Sequence, residues 1–265
     1  MIRKYKRIIL GATVAGIGAA AKAPEDCIVL EESIGVGYEY INSYKIGGGW
    51  EYTTDTILKK ELVHRKLLSH NHEIYLPPVA FVLYNLLQKS NINVLFLTKL
   101  ADIRKSGNGY CLEIYNANGF STIYADEILD TTYGRISLPD RAIAPKQIYL
   151  NGLLNRKNEC QEKIIPWSDK VRFKEVDGRN ELVFSIKIES YDWCDARKKI
   201  HNEWKSNFDK AEGWTLSYVA TEFDVCFEST VAEQDNNIVW LPSCQHKNLL
   251  DAWQVGYDYP EVMKQ

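Results

Sequence analysis

The sequence predicts an α/β protein in two parts, one built on a parallel sheet that carries a small β-meander and one on an antiparallel sheet. Three observations predict it. The short apolar run Arg7-Ile8-Ile9-Leu10 stops at Gly11, and a small-residue helical stretch leads to a second run, Cys27-Ile28-Val29-Leu30; strands buried on both faces read this way. Residues 101–125 fall into short alternating segments broken at two glycine-containing turns, as hairpins do. Beyond Arg135 the rhythm changes to longer alternating strands such as Leu182–Ile188, in which one face packs and the other is solvated or faces a pocket.

The chain is organised around Tyr5–Glu32, which reads as strand, glycine turn, helix, strand and acid. Gly11 lets the chain turn sharply, and Gly16 lets the helix that follows approach the sheet. Residues Val14 to Ala23 are mostly small and apolar. The first-turn amides of such a helix, those of Val14 and Ala15, point outward and attract a pyrophosphate. Glu31, with Glu32 beside it, closes the second strand where an acid binds a ribose hydroxyl. The nucleotide-binding fingerprint is G-x-G-x-x-G, and this chain has Gly11-Ala12-Thr13-Val14-Ala15-Gly16. Thr13 puts a side chain where the middle glycine admits the pyrophosphate; its hydroxyl either bonds a phosphate or weakens the site. Met1–Ala23 also has the outline of a secretory signal, with a basic start, an apolar centre and Ala21-Lys22-Ala23 as a cleavage site. The strand and acid that follow complete a unit that a signal would not need, so the expected location is the cytoplasm.

Composition narrows the class. A hydrophobic content of 45% and a charged content of 25% are those of an ordinary globular protein, and 265 residues suffice for one large domain or two interlocked ones. The net charge of −3 gives no reason to expect a nucleic-acid partner. No apolar run is long enough to span a bilayer. The six cysteines, Cys27, Cys111, Cys160, Cys194, Cys226 and Cys244, form no C-x-x-C pair, so neither zinc nor dithiol chemistry is signalled and reduced thiols are expected.

The rest of the chain follows in order. Gly35, Gly37 and Gly47-Gly48-Gly49-Trp50 read either as backbone running close to a cofactor or as a mobile surface loop. A helix is expected over Thr56–Leu68. His70-Asn71-His72 would offer two metal ligands from a strand, but with no third ligand apparent they read as polar loop residues. Pro77–Ser90 is a helix with prolines at its start and Val79, Val82, Leu83, Leu86 and Leu87 on one face. Val94–Leu97 is the next strand. Turns at Gly107-Asn108-Gly109 and Asn116-Ala117-Asn118-Gly119 make the meander, and Ala125–Thr132 returns to the sheet. In the second part, Ala196, Ile200, Trp204 and Phe208 mark a covering helix, and Phe223, Val225 and Phe227 another strand. Trp167, Trp193, Trp204 and Trp214 read as core rather than as pocket lining. Asn237–Ser243 and Asn248–Gly256 close the chain as strand, loop and helix.

This order, with the strand ending Ile128-Leu129-Asp130-Thr131-Thr132, resembles the FAD-dependent oxidoreductases of the glutathione-reductase-like superfamily. That family ends this strand near Asp-Ala-Thr-Gly. Here Thr131 replaces the alanine and Tyr133 the glycine, with Gly134 one place later. The resemblance implies a Rossmann-like FAD-binding domain over 1–134 and 237–265, with 45–75 contributing to the substrate side, and a substrate or cap domain over 135–236. It implies FAD, bound non-covalently, with Gly11, Thr13, Val14, Ala15, Gly16, Glu31 and Glu32 around its nucleotide half. The backbone around Leu100 would contact adenine, and Thr131 and Thr132 would lie near the pyrophosphate. Ser243, Cys244, Gln245, His246, Asn248 and Leu249 would stand at the start of the last helix, facing the pyrimidine side of the flavin, where the helix charge favours the reduced ring. The glycine-rich turn that many relatives have there is absent. His246 is the candidate acid or base. Cys244 reads as a plain loop cysteine rather than a flavin link or reactive thiol.

The implied activity is hydride or electron transfer between the flavin and an unidentified small-molecule or peptide substrate. The compact cap would leave the flavin partly uncovered, so a partner chain, a homodimer or a large substrate would complete the site. A second reading is a flavoprotein fold kept without catalysis, serving as a binding or scaffold subunit. A third, an NAD(P)-dependent enzyme, is disfavoured by the meander and the second antiparallel part.

Overall fold

Strand β1 (Arg3–Leu10) leads through the Gly11-Ala12 turn into helix α1 (Val14–Lys22), and β2 (Cys27–Leu30) returns parallel to β1 with Leu30 opposite Leu10. Ile8, Ile9, Leu10 and all of β2 are buried, which is why neither run alternates. The computed structural model describes residues 3–69, 73–156, 164–176, 180–228 and 230–259. His70, Asn71, His72 and Cys160 lie outside the described residues.

Gly37, with φ of +61°, opens the short helix α2 (Tyr38–Ile41). Helix α3 (Ile57–His64) starts at Thr56, whose hydroxyl accepts from the Lys59 amide at 3.1 Å. Helix α4 (Val79–Lys89) buries the five-residue apolar face expected of it. Strand β3 (Val94–Leu95) pairs parallel to β2 and is shorter than the run Val94–Leu97 predicted, because Leu97 takes a left-handed φ of +51° and turns the chain away.

The meander is β4 (Lys99–Ser106), β5 (Gly109–Asn116) and β6 (Gly119–Asp130), with positive φ at Gly107 and Gly119. Strand β6 is one continuous element where the sequence suggested two. Its first half pairs antiparallel with β5, Ala125 facing Tyr110, and its second half runs parallel to β1, with Asp130 opposite Leu10.

The second sheet is antiparallel. It contains β7 (Gln147–Arg156), β8 (Val171–Val176) and β9 (Glu181–Ile188). Helix α5 (Trp193–Ser206) covers it with Ala196, Ile200 and Trp204 buried, and β10 (Trp214–Val219) and β11 (Asp224–Cys226) flank β7. Trp204 and Trp214 belong to this core and Trp167 and Trp193 pack against it, as expected of structural tryptophans. Strand β12 (Glu233–Asp235) and β13 (Ile238–Trp240) rejoin the first, eight-stranded sheet, β13 parallel to β6. Helix α6 (Leu249–Tyr257) packs on α1. No helix among the described residues is long and apolar enough to cross a membrane.

The α1–α6 contact is backbone-close. A Cβ on Gly256 would stand 1.9 Å from the Ala15 carbonyl oxygen, and one on Gly18 would stand 2.4 Å from that of Trp253. Backbone cannot yield as a flexible side chain can, so Gly256→Ala should destabilise the protein by about 2 kcal/mol or more. Denaturant unfolding measures this, and an unchanged midpoint would contradict so close an approach.

Candidate functional site

The carboxyl ends of β1, β2 and β6 open onto a cavity of about 390 Å³, at the edge where open parallel α/β sheets bind ligands. Leu10, Gly11 and Leu30 line its base; Glu31, Glu32 and Ser33 follow β2, Thr98 and Leu100 come from the start of the meander, and Thr132, Tyr133 and Gly134 follow β6. Tyr38 and Glu222 contribute from α2 and from the approach to β11. Gly11, Glu31, Glu32, Leu100 and Thr132, all singled out from the sequence, therefore share one cavity. Gly11 has φ of +94°, and a Cβ there would lie 3.1 Å from side-chain carbons of both Thr13 and Thr132. The Glu31 carboxylate accepts from the Ala12 and Ser33 amides, each at 2.8 Å. Each oxygen keeps a further lone pair for a ligand hydroxyl. The lining residues include three carboxylates and no Lys, Arg or His. Burial and the neighbouring Glu31 charge push Glu222 above the usual carboxylate range.

Thr13, Val14, Ala15, Gly16, Thr131 and Ser243 also come together, but as a buried network behind the cavity. The Thr13 hydroxyl caps α1, accepting from the Gly16 amide at 3.0 Å, and donates to the Thr131 hydroxyl at 2.6 Å; that hydroxyl donates to the Leu10 carbonyl at 2.9 Å. The Thr13 hydroxyl, for which the sequence offered a phosphate bond or a weakened site, is committed here to the helix start. A Cβ on Gly16 would stand 2.4 Å from the Gly11 carbonyl oxygen, so the helix–turn packing needs that glycine.

The next two amides have unexpected partners. Val14 donates to Glu39 Oε1 at 2.8 Å and Ala15 to Ser243 Oγ at 3.0 Å, and Ser243 Oγ donates to the same Glu39 oxygen at 2.6 Å. Ser243 is fully buried and Glu39 is 4% exposed. Glu39 is the member of this network that the sequence did not reveal. Its only local signal is an acid set inside the aromatic run Tyr38-Glu39-Tyr40.

At this same carboxyl end of β6, the buried Asp130 carboxylate accepts from the Thr132 amide at 3.0 Å, the Thr132 hydroxyl at 2.6 Å and the Ser137 amide at 2.7 Å. The Trp240 indole donates to the Thr132 carbonyl at 2.7 Å. These bonds fix the path of Thr132-Tyr133-Gly134 that the altered strand end left open.

His246, Asn248 and Leu249 lie at the start of α6 and do not line the cavity. Asn248 caps α6, accepting from the Leu250 and Asp251 amides at 2.9 Å each, and its amide donates to the Gly48 carbonyl at 3.1 Å. A Cβ on Gly47 would stand 2.4 Å from Asn248 Cβ, so the glycine tract is packed against the start of α6. Leu249 is core. The Tyr40 hydroxyl lies 2.9 and 3.0 Å from the Ser243 and His246 carbonyls. Lys45 donates to the Cys244 carbonyl at 2.8 Å and pairs with Asp224 at 2.9 Å, tying this tract to the second sheet. Burial pushes the Cys244 thiol up to about 12, leaving no thiolate for reaction. Burial, and next the Lys45 charge, push His246 down to about 4, so its ring is neutral near pH 7, with Nε2 unpartnered among the described residues.

Burial raises Glu39 from an ordinary 4.5 to about 7, the Ser243 and Val14 bonds opposing it and the Glu31 charge adding to it. An acid whose folded value is raised ionises first in the unfolded chain, so stability falls as pH rises from the ordinary value towards the folded one. His246 acts oppositely, because its depressed value makes stability fall as pH drops below the ordinary histidine range. Glu39→Gln removes only the first effect. Relative to the wild type, the variant should gain on the order of 3 kcal/mol between about pH 4 and about pH 8, read by urea unfolding at each pH. A difference independent of pH would show that Glu39 does not titrate there.

No known protein family matches the sequence, and no curated protein is detectably similar to it. Solved structures do resemble it. p-Nitrophenol 4-monooxygenase from Pseudomonas putida matches with a TM-score of 0.59 at 10% identity, over 100% of this chain and 81% of its own. Glycine oxidase from Geobacillus kaustophilus matches with a TM-score of 0.61 at 11% identity, over 96% of this chain and 93% of its own. Aklavinone-11 hydroxylase, solved with FAD and aklavinone, matches with a TM-score of 0.58 at 8% identity, over 100% of this chain and 63% of its own. Against several such hydroxylases the chain spans about 62% of their length. At these identities the likeness establishes the fold: a mixed α/β sheet and a separate antiparallel sheet, in the arrangement of flavoprotein hydroxylases and oxidases.

Proposed function

We propose that the protein is a flavin oxidoreductase that holds FAD non-covalently, with the adenosine half in the cavity at the carboxyl ends of β1, β2 and β6. The observation that carries this is the meeting of Gly11, Glu31, Leu100 and Thr132 around that cavity. Glu31 would accept the ribose hydroxyls, and the wall around Leu100 would take the adenine. The cavity, about 390 Å³ with Glu31 and Leu100 in its lining, would take the nucleoside half. The diphosphate would lie on the first-turn amides of α1, and it fits there once the Glu39 carboxylate turns away from Val14. When bound, the flavin supplies the hydride or electron transfer.

The chain's own groups supply position and polarity. The start of α6, capped by Asn248, would direct its positive end towards the ring. His246, neutral near pH 7, would serve as a proton acceptor rather than a donor. The named activities of the similar structures, on p-nitrophenol, glycine and aklavinone, are united by oxidation and not by substrate. We therefore leave the substrate as an organic molecule or peptide, with a second chain or the substrate itself covering the flavin. A flavoprotein fold kept without catalysis, serving as a binding or scaffold subunit, is the second reading, favoured by the hydrogen bonds by which Glu39 and Ser243 already occupy the first amides of α1.

Purified protein reconstituted with FAD should show flavin absorption bands and release FAD on heating. Glu31→Gln should weaken FAD binding roughly tenfold, the loss of a charge-assisted bond to the ribose. A protein that stays colourless in excess FAD would overturn the flavin reading.

A further inference from the structure

The first turn of α1 already holds a carboxyl group, and that group is the chain's own. In a diphosphate site of this kind the ligand oxygens would accept from the Val14 and Ala15 amides. Here Glu39 Oε1 accepts from Val14 at 2.8 Å and is bridged by Ser243 Oγ to Ala15. We propose that Glu39 is an internal stand-in for the nucleotide phosphate, so that a diphosphate reaches α1 only by displacing it, and that Glu39 thereby sets the selectivity of the site between nucleosides and nucleotides. This rests on the reading of the cavity as the adenosine half-site.

Three further observations support it. First, the carboxylate is only partly satisfied: Glu39 is 4% exposed, and its Oε2 has no partner among the described residues. A buried anion with an idle oxygen is costly to keep, which lowers the cost of moving it. Second, a carboxylate and a phosphate cannot share these amides, and no cation among the lining residues would soften their repulsion. Glu31, Glu32 and Glu222 line the adjoining cavity instead. Third, Glu39 sits on a helix of four residues that begins after Gly37 in the left-handed region. Its neighbour Tyr38 lines the cavity. A side-chain turn or a shift of this short element would expose the amides without breaking a strand of either sheet.

The test is calorimetric titration of wild type, Glu39→Ala and Glu39→Gln with three probes, adenosine, ADP and FAD, beside thermal unfolding without ligand. Glu39→Ala should bind ADP and FAD roughly tenfold to a hundredfold more tightly, the worth of charge-assisted bonds gained without displacing a competitor. Adenosine, which has no phosphate, should bind all three proteins alike. The ligand-free alanine variant should melt below wild type, because the Val14 amide loses its acceptor. Glu39→Gln keeps an acceptor oxygen and loses the charge, so its gain for ADP should be intermediate; it carries the test if the alanine variant does not fold. ADP and FAD bound equally or less tightly by both variants would overturn the inference and leave the flavin reading standing. Equal gains for adenosine would overturn it too, and binding of no probe by any protein would overturn both.

Discussion

The constraint on which the structure turns is the set of backbone donors at the start of α1. The first amides of a helix have no partner within it, and buried donors must find acceptors. Here one acceptor is local and two come from distant parts of the chain. Thr13, the cap of α1, serves Gly16, while Glu39 from α2 serves Val14 and Ser243 from beyond β13 serves Ala15. Thr131, at the end of β6, holds Thr13 in place. The parallel order β13-β6-β1-β2 brings these loops to one edge of the sheet. The groups that complete the fold are therefore the groups that, on the proposed reading, a nucleotide would use, and ligand binding would then compete with local stability for the same hydrogen bonds.

Electrostatics sharpen the conflict. The cavity is lined by three carboxylates and no cation, and Lys45 is committed to Asp224 and to the Val225 and Cys244 carbonyls. On the proposed reading the helix terminus is what would attract a phosphate, and the Glu39 carboxyl group already occupies it. Burial moves Glu39 upward and His246 downward, and the two lie on the segments that the Tyr40 hydroxyl joins.

The sequence made the local units legible and left the long-range ones hidden. The runs ending at Leu10 and Leu30, the glycine turn and the acid Glu31 are contiguous signals governed by burial and backbone sterics, and the structure places them as expected. The hairpin turns were legible because Gly107 and Gly119 need positive φ. The continuity of β6 was not, because the strand changes partner from β5 to β1 along its length, and alternation within a segment does not report its partner. The early end of β3 depends on one left-handed residue, Leu97, whose side chain gives no sign of it. Glu39 was hidden for a related reason. A buried acid in an aromatic run is intelligible only when its acceptor duty to Val14, 25 positions earlier in the chain, is seen. The glycine tract over 47–49 was ambiguous until Gly47 was found against Asn248.

The most direct measurement is a crystal structure of the protein with ADP. The account predicts phosphate oxygens on the Val14 and Ala15 amides, the ribose on Glu31, and the Glu39 carboxylate turned away from α1. A complex in which ADP fills the cavity while Glu39 still accepts from Val14 would contradict it, and Glu39 would then be a fixed part of the helix cap.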